Sequence, residues 1–144
     1  MQWWRVKVVA NAVNGSTLLG LGIARVGRAR LTGGPRGLVL ATGYRNSFPR
    51  AGAFTVGNVV LTRHDPAWLS QREQVLVHEE RHSWQFAVTL GLPMLPLYVA
   101  AAGWSYLRGG DFSTYNVFEV RAGLEDGGYP LVSRRQRLRR EQTA

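Results

Sequence analysis

The chain has 144 residues, 45% of them hydrophobic and 19% charged, the profile of one globular domain with a real core rather than a disordered chain or a disulfide-stapled miniprotein. It contains no cysteine, which excludes thiolate zinc ribbons, iron–sulfur centres and thiol catalysis and leaves His, Asp and Glu as the strong metal ligands. The net charge is +9, but Arg134, Arg135, Arg137, Arg139 and Arg140 crowd the C-terminus, and without them the body carries about +4. A basic tail is usually solvated; the partners it would otherwise serve are nucleic acid and an anionic membrane surface.

The N-terminal stretch, residues 3–27, opens on Trp3 and Trp4 and then runs uncharged from Val8 to Ala24. Asn11, Asn14, Gly15, Ser16 and Thr17 interrupt it, and no small-residue cleavage site follows, so it reads as two helices about a turn at Asn14-Gly15-Ser16 rather than a signal peptide or anchor. The tryptophans are expected to pack on the core, with a membrane interface as the alternative.

Residues 29–63 are rich in Gly, Thr and Val and broken by Gly33-Gly34-Pro35 and Gly37. One strand is expected over residues 38–42. A second strand or a hairpin about Gly57-Asn58 is expected over residues 54–62, and residues 29–31 pair with the first strand, giving a short antiparallel sheet of about three strands.

Asp65-Pro66 is an N-cap followed by proline at the first helical position, and Ser70 and Glu73 have capping-box spacing, so a helix is expected from here to Leu90. Gly91 supplies a left-handed stop and Pro93 blocks continuation. Inside that helix lies His78-Glu79-Glu80-Arg81-His82. Residues i and i+4 share a face, so both imidazoles can ligate one Zn²⁺, and Glu79 at the edge of that face can take a proton from metal-activated water. Val75, Gln85 and Phe86 extend the face, while Arg72, Glu80 and Arg81 point elsewhere. His64, the third histidine, reads as a loop residue.

A catalytic zinc needs a third protein ligand and an open position. Of the acidic residues downstream, Asp111 follows two glycines and reads as a turn or cap, Glu141 sits in the tail, and Glu125 and Asp126 follow the next helix. That helix is expected over residues 113–123, capped by Ser113 or Asn116. On it Glu119 shares a face with Ala122 and Gly123, small residues that let helix backbones approach closely. Read as a surface carboxylate instead, Glu119 would pair with Arg121 or Arg108.

The pattern His78-Glu79-Glu80-Arg81-His82, followed by Phe118-Glu119-Val120-Arg121-Ala122, resembles the H-E-x-x-H plus E-x-x-A arrangement of gluzincin-type zinc metallopeptidases. The run His82-Ser83-Trp84-Gln85, Gly91-Leu92-Pro93, Leu95-Pro96-Leu97-Tyr98 and Asn116-Val117-Phe118-Glu119 through Gly127-Gly128-Tyr129 is more similar still to a group of small uncharacterised bacterial zincin-like proteins. The resemblance covers residues 65–130. It implies His78, His82 and Glu119 as zinc ligands, Glu79 as general base and acid, and the strand within residues 54–62 as the edge along which a peptide adds. Two departures stand out: Gly123 occupies the position where many gluzincins carry an Asp, with Asp126 the nearest substitute, and no downstream His is present for the oxyanion, leaving Tyr44, Tyr115 and Tyr129 unassigned.

Residues 86–107 carry no charge, yet Gly91, Pro93, Pro96 and Gly103 divide them, so a buried core helix from about Pro96 to Leu107 is expected over a spanning segment. A helix at a membrane interface, with Tyr98, Trp104 and Tyr106 at headgroup depth, is the alternative.

The reading is therefore an α+β, minimal zincin-like domain over residues 1–130 with a basic, disordered tail over 131–144, cytoplasmic or peripheral on the membrane. Its expected activity is zinc-dependent hydrolysis of peptide or protein substrates. The competing reading is a non-catalytic basic module that binds nucleic acid or anionic membrane and whose zinc site is structural or vestigial. The sequence sets no oligomeric state.

Overall fold

The computed structural model describes residues 2–47, 49 and 51–143. The protein is α+β as expected, with seven α-helices and a four-stranded sheet among the described residues. Where one domain followed by a tail is expected, the chain divides into two compact units, one ending at Met94 and one beginning at Leu95.

The first unit opens with helices α1 (Trp4–Val13) and α2 (Ser16–Val26), joined at Gly15, whose φ of 81° lies in the left-handed region. Trp4 is half-buried, whereas Trp3 is 65% exposed, so only one of the tryptophans takes the expected core position. The sheet comprises β1 (Arg30–Gly33), β2 (Val39–Thr42), β3 (Ala53–Val56) and β4 (Val59–Thr62) in the order β1-β2-β4-β3. The expected hairpin forms between β3 and β4, turning at Gly57 (φ 63°). A side chain at Gly57 would collide with the Ser16–Thr17 backbone, so glycine is required both for the turn and for seating the hairpin on the start of α2.

The sheet is mixed rather than antiparallel. β1 and β2 pair antiparallel, but β2 and β4 run parallel, with Val39 opposite Val59. β3 follows β2 in the chain but lies at the far edge, and β4 folds back between them. β4 is buried along its whole length, and Leu38, Ala53 and Val60 form a core with Leu40, Trp68 and Val75 against it.

The expected single helix is two, α3 (Pro66–Ser70) and α4 (Glu73–Val88). Asp65 caps α3, its Oδ1 accepting from the Trp68 N–H at 2.9 Å. The capping box does not form: the Ser70 hydroxyl donates to the Ala67 carbonyl, and Arg72 leaves helical geometry at φ −132°, ψ 66°. The Arg72 guanidinium lies over the Trp68 ring and donates to the Trp68 carbonyl, satisfying the end of α3. α4 ends at Val88, short of the expected Leu90; Leu90 (φ 62°) and Gly91 (φ 90°) are both left-handed, and the Gly91 N–H donates to the Phe86 carbonyl.

The second unit contains α5 (Met94–Gly109, beginning at the boundary), α6 (Val117–Ala122) and α7 (Arg134–Thr143). α5 is not the buried core helix expected: Leu97, Val99, Trp104, Tyr106 and Leu107 are exposed, and only Met94, Ser105 and Gly109 along it are buried. The C-terminal residues expected to be disordered form α7, with every arginine exposed. Its residues are good helix formers, and Ser133 and Gln136 make a capping box, Ser133 Oγ accepting from the Gln136 N–H and Gln136 Oε1 from the Ser133 N–H.

Asp111 is the cap residue expected from its position. Its Oδ1 accepts the N–H groups of Ser113 and Thr114, and its Oδ2 accepts the Arg134 N–H at the start of α7. Burial opposes its ionisation, but the N–H groups of Thr114 and Arg134, the Thr114 side chain and the N–H of Ser113 outweigh that and lower its pKa to about 2. A carboxylate with a folded pKa below its unfolded value of 3.8 adds stability that is present above pH 4 and lost as pH falls toward 2. Thermal unfolding of Asp111→Asn beside wild type is therefore expected to show a melting-temperature gap at pH 5 that closes as pH approaches 2. A gap independent of pH would contradict this role.

Candidate metal centre

α4 buries an unusual set of side chains. His78, Glu79, Glu80, His82 and Ser83 are all buried, with Phe86 the one apolar residue among the buried positions of this helix. Each buried polar group needs a partner, because an unpaired one costs about 1–3 kcal/mol and a charge costs more.

The two histidines come together inside the first unit. Their Nε2 atoms are 3.0 Å apart with the ring planes at 82°. Two nitrogens bound at about 2.05 Å to one tetrahedral zinc sit about 3.3 Å apart, so the pair as folded is close to the spacing of two ligands on one ion. The side-chain amide oxygen of Gln85, Oε1, faces His82 Nδ1 at 2.8 Å. As an acceptor it holds the proton on Nδ1 and leaves the Nε2 lone pair directed at the other histidine.

Glu79 is buried beside them in sequence, and the Thr55 hydroxyl on β3 donates to its Oε2 at 2.6 Å. β3 is one of the two edge strands of the sheet, with β1 the other, while β4 is paired on both sides. Of the residues 54–62 expected to form an edge, only those of β3 lie at one, and three of the four residues of β3 are buried.

Glu80 points away from the histidines, as expected, yet it is buried, between Lys7 of α1, at 3.5 Å, and the guanidinium of Arg36. These two cations compensate its charge. Burial lowers the Lys7 pKa, a tendency the neighbouring Glu80 carboxylate opposes. An open groove of about 450 Å³, lined by Trp3, Trp4, Glu80 and Trp84 among others, lies along this other face of α4 and includes neither histidine. On the same helix Ser83 completes a network with Asn11 and Asn58, the Asn11 amide donating to Asn58 Oδ1 and to the Ser83 carbonyl.

In the second unit, Asn116 is the cap of α6, accepting from the Phe118 N–H, and Glu119 follows in the first turn. Glu119 is 2% exposed and accepts a hydrogen bond from the Tyr98 hydroxyl, so it is not a surface carboxylate; Arg108 lies instead over the Tyr115 ring. Ala122 and Leu124 are buried beyond it. Among the other acidic residues, Asp111 is engaged as a cap, and Glu125 and Glu141 are exposed. His64 is exposed and stacked on Trp68 at 4.1 Å, in keeping with a loop residue. Tyr44, one of the unassigned tyrosines, is buried edge-on to Phe54.

Gln85, Thr55 and Tyr98 are the partners that sequence reasoning did not assign. Gln85 was accessible from spacing, three residues after His82 on the same helix; Thr55 and Tyr98 depend on tertiary placement. No family model, curated protein or solved structure matches this chain.

Removing the Gln85 side-chain amide frees the His82 ring without altering either imidazole. If the histidine pair holds zinc, Gln85→Ala is expected to weaken its affinity about 10–100-fold, read by competition with a chromophoric chelator, with the helical circular dichroism retained. Unchanged affinity would show that Gln85 does not orient His82 for metal.

Proposed function

We propose that this protein is a zinc-dependent metallopeptidase in which His78, His82 and Glu119 hold the ion and Glu79 moves the proton. Three lines support the reading. His78 and His82 of the first unit and Glu119 of the second are each buried. Their chemistry, two imidazoles and one carboxylate, is a donor set used by catalytic zinc. The observation that carries most weight is the His78–His82 pair, with Nε2 facing Nε2 at 3.0 Å on a helix that also buries Glu79.

Bound there, zinc would supply Lewis acidity toward a substrate carbonyl and lower the pKa of water. Glu79 takes the proton of the attacking water as the new C–O bond forms, then delivers it to the amine as the C–N bond breaks. Thr55 keeps the Glu79 carboxylate in one orientation by donating to Oε2. An extended peptide would add along the outer edge of β3, bringing its main chain beside the strand that carries Thr55.

The division of labour gives a direct test. Glu79→Gln keeps the size of the side chain and removes its basicity. The variant is expected to bind zinc as wild type does and to lose about 10²–10⁴-fold in hydrolysis of a denatured protein substrate such as casein, followed by release of new amino termini. Zinc lost together with activity would make Glu79 structural, and full activity would remove it from the mechanism.

A further inference from the structure

We infer that the second unit docks on an anionic lipid bilayer, with α5 lying in the interface and the arginines of α7 on the headgroup phosphates. The inference does not rest on the metallopeptidase reading.

α5 carries no charge before Arg108, and its buried positions form one narrow stripe, Met94, Ser105 and Gly109. Leu95, Leu97, Val99, Trp104, Tyr106 and Leu107 occupy the remaining arc and are 39–69% exposed. A helix apolar around most of its circumference is stable only when something covers it. At 16 residues α5 is about 24 Å long, short of a bilayer core of about 30 Å. No single helix among the described residues is long and apolar enough to cross a membrane, so the geometry points to a helix lying along the surface.

Charge identifies the surface. Tyr106 and Phe112 stack at 4.9 Å with both rings exposed at the C-terminal end of α5. The basic helix begins at that same end: the Arg134 N–H is held by Asp111, and the Arg135 guanidinium donates to the Arg108 carbonyl. Exposed aromatic rings, an uncharged apolar face and a cluster of arginines are thus continuous within one unit. This is the order of groups met on passing from acyl chains through the interface to anionic headgroups. Nucleic acid would use the arginines but leave the α5 face uncovered, and a second copy of a chain with net charge +9 would bring like charges together.

The test is co-sedimentation of the full chain with phosphatidylcholine vesicles made with and without phosphatidylglycerol. Binding is expected only to the anionic vesicles. Trp104→Ser with Leu107→Ser is expected to reduce it at least about tenfold, and Arg134, Arg135 and Arg137 changed to Gln about 100-fold. Both sets of positions are exposed, and circular dichroism checks that the variants fold. Quenching of tryptophan fluorescence by brominated lipid provides a second readout and should fall in Trp104→Phe, while Glu79→Gln binds like wild type whether or not the chain is a peptidase. Failure to bind anionic vesicles, binding unaffected by the α5 substitutions, or capture of oligonucleotide in place of vesicles would each overturn the inference. So would a stable dimer that the α5 substitutions disperse, because a second copy would then cover the face.

Discussion

The first unit is organised by the need to satisfy the polar side chains that α4 buries. Five of them are buried on a single helix: Glu79 is held by Thr55 of β3, Glu80 by Lys7 of α1 and by Arg36, and Ser83 by Asn11 of α1 and Asn58 of the hairpin turn, while His82 meets Gln85 and His78 on the helix itself. Truncating one partner of a buried charge pair typically costs about 3–5 kcal/mol, because the remaining charge is stranded. The packing of α1, the hairpin and the turn at Pro35–Gly37 around α4 is therefore constrained by hydrogen bonding and ion pairing as much as by apolar contact. A helix that buries so many polar groups in a small unit is costly as mere scaffold, and that cost is the physical argument for a site.

The same arrangement accounts for the role given to the sheet. β3 is at once the strand against α4, the source of the hydroxyl that fixes Glu79, and an edge of the sheet. An edge strand presents unpaired N–H and C=O groups to any extended chain that comes alongside. In the proposed enzyme, one strand thus both aligns the substrate and orients the general base. Its position depends on the mixed topology: with β4 inside and β2 parallel to it, the hairpin turns its first strand outward.

Much of this was legible in the sequence, and the failures are instructive. The paired helices, the hairpin at Gly57-Asn58, the Asp65 cap and the stop at Gly91 follow from local turn and capping chemistry, which a single sequence carries. The break at Arg72 did not, because Ser70 and Glu73 have capping-box spacing but Ser70 bonds backward to Ala67 instead. The parallel pairing of β2 and β4 and the burial of Glu80 depend on contacts between residues far apart in the chain. Lys7 and Arg36 lie 73 and 44 residues from Glu80, and nothing in the local pattern announces them. α7 was missed through its charge: five arginines read as a solvated tail, although Ser133 and Gln136 carry a capping box in plain view. Of the candidate site, the two histidines, Glu79 and Gln85 were readable from helical spacing, whereas Thr55 and Tyr98, which bond to the carboxylates from other elements, were not.

The central claim is that His78, His82 and Glu119 hold one metal ion. Its most direct test is the zinc content, by elemental mass spectrometry, of purified wild type and of Glu119→Ala. The account predicts about one zinc per chain in wild type and its loss or sharp weakening in the variant. Wild-type protein that takes up no zinc even after reconstitution, or a variant that retains it fully, would contradict the account.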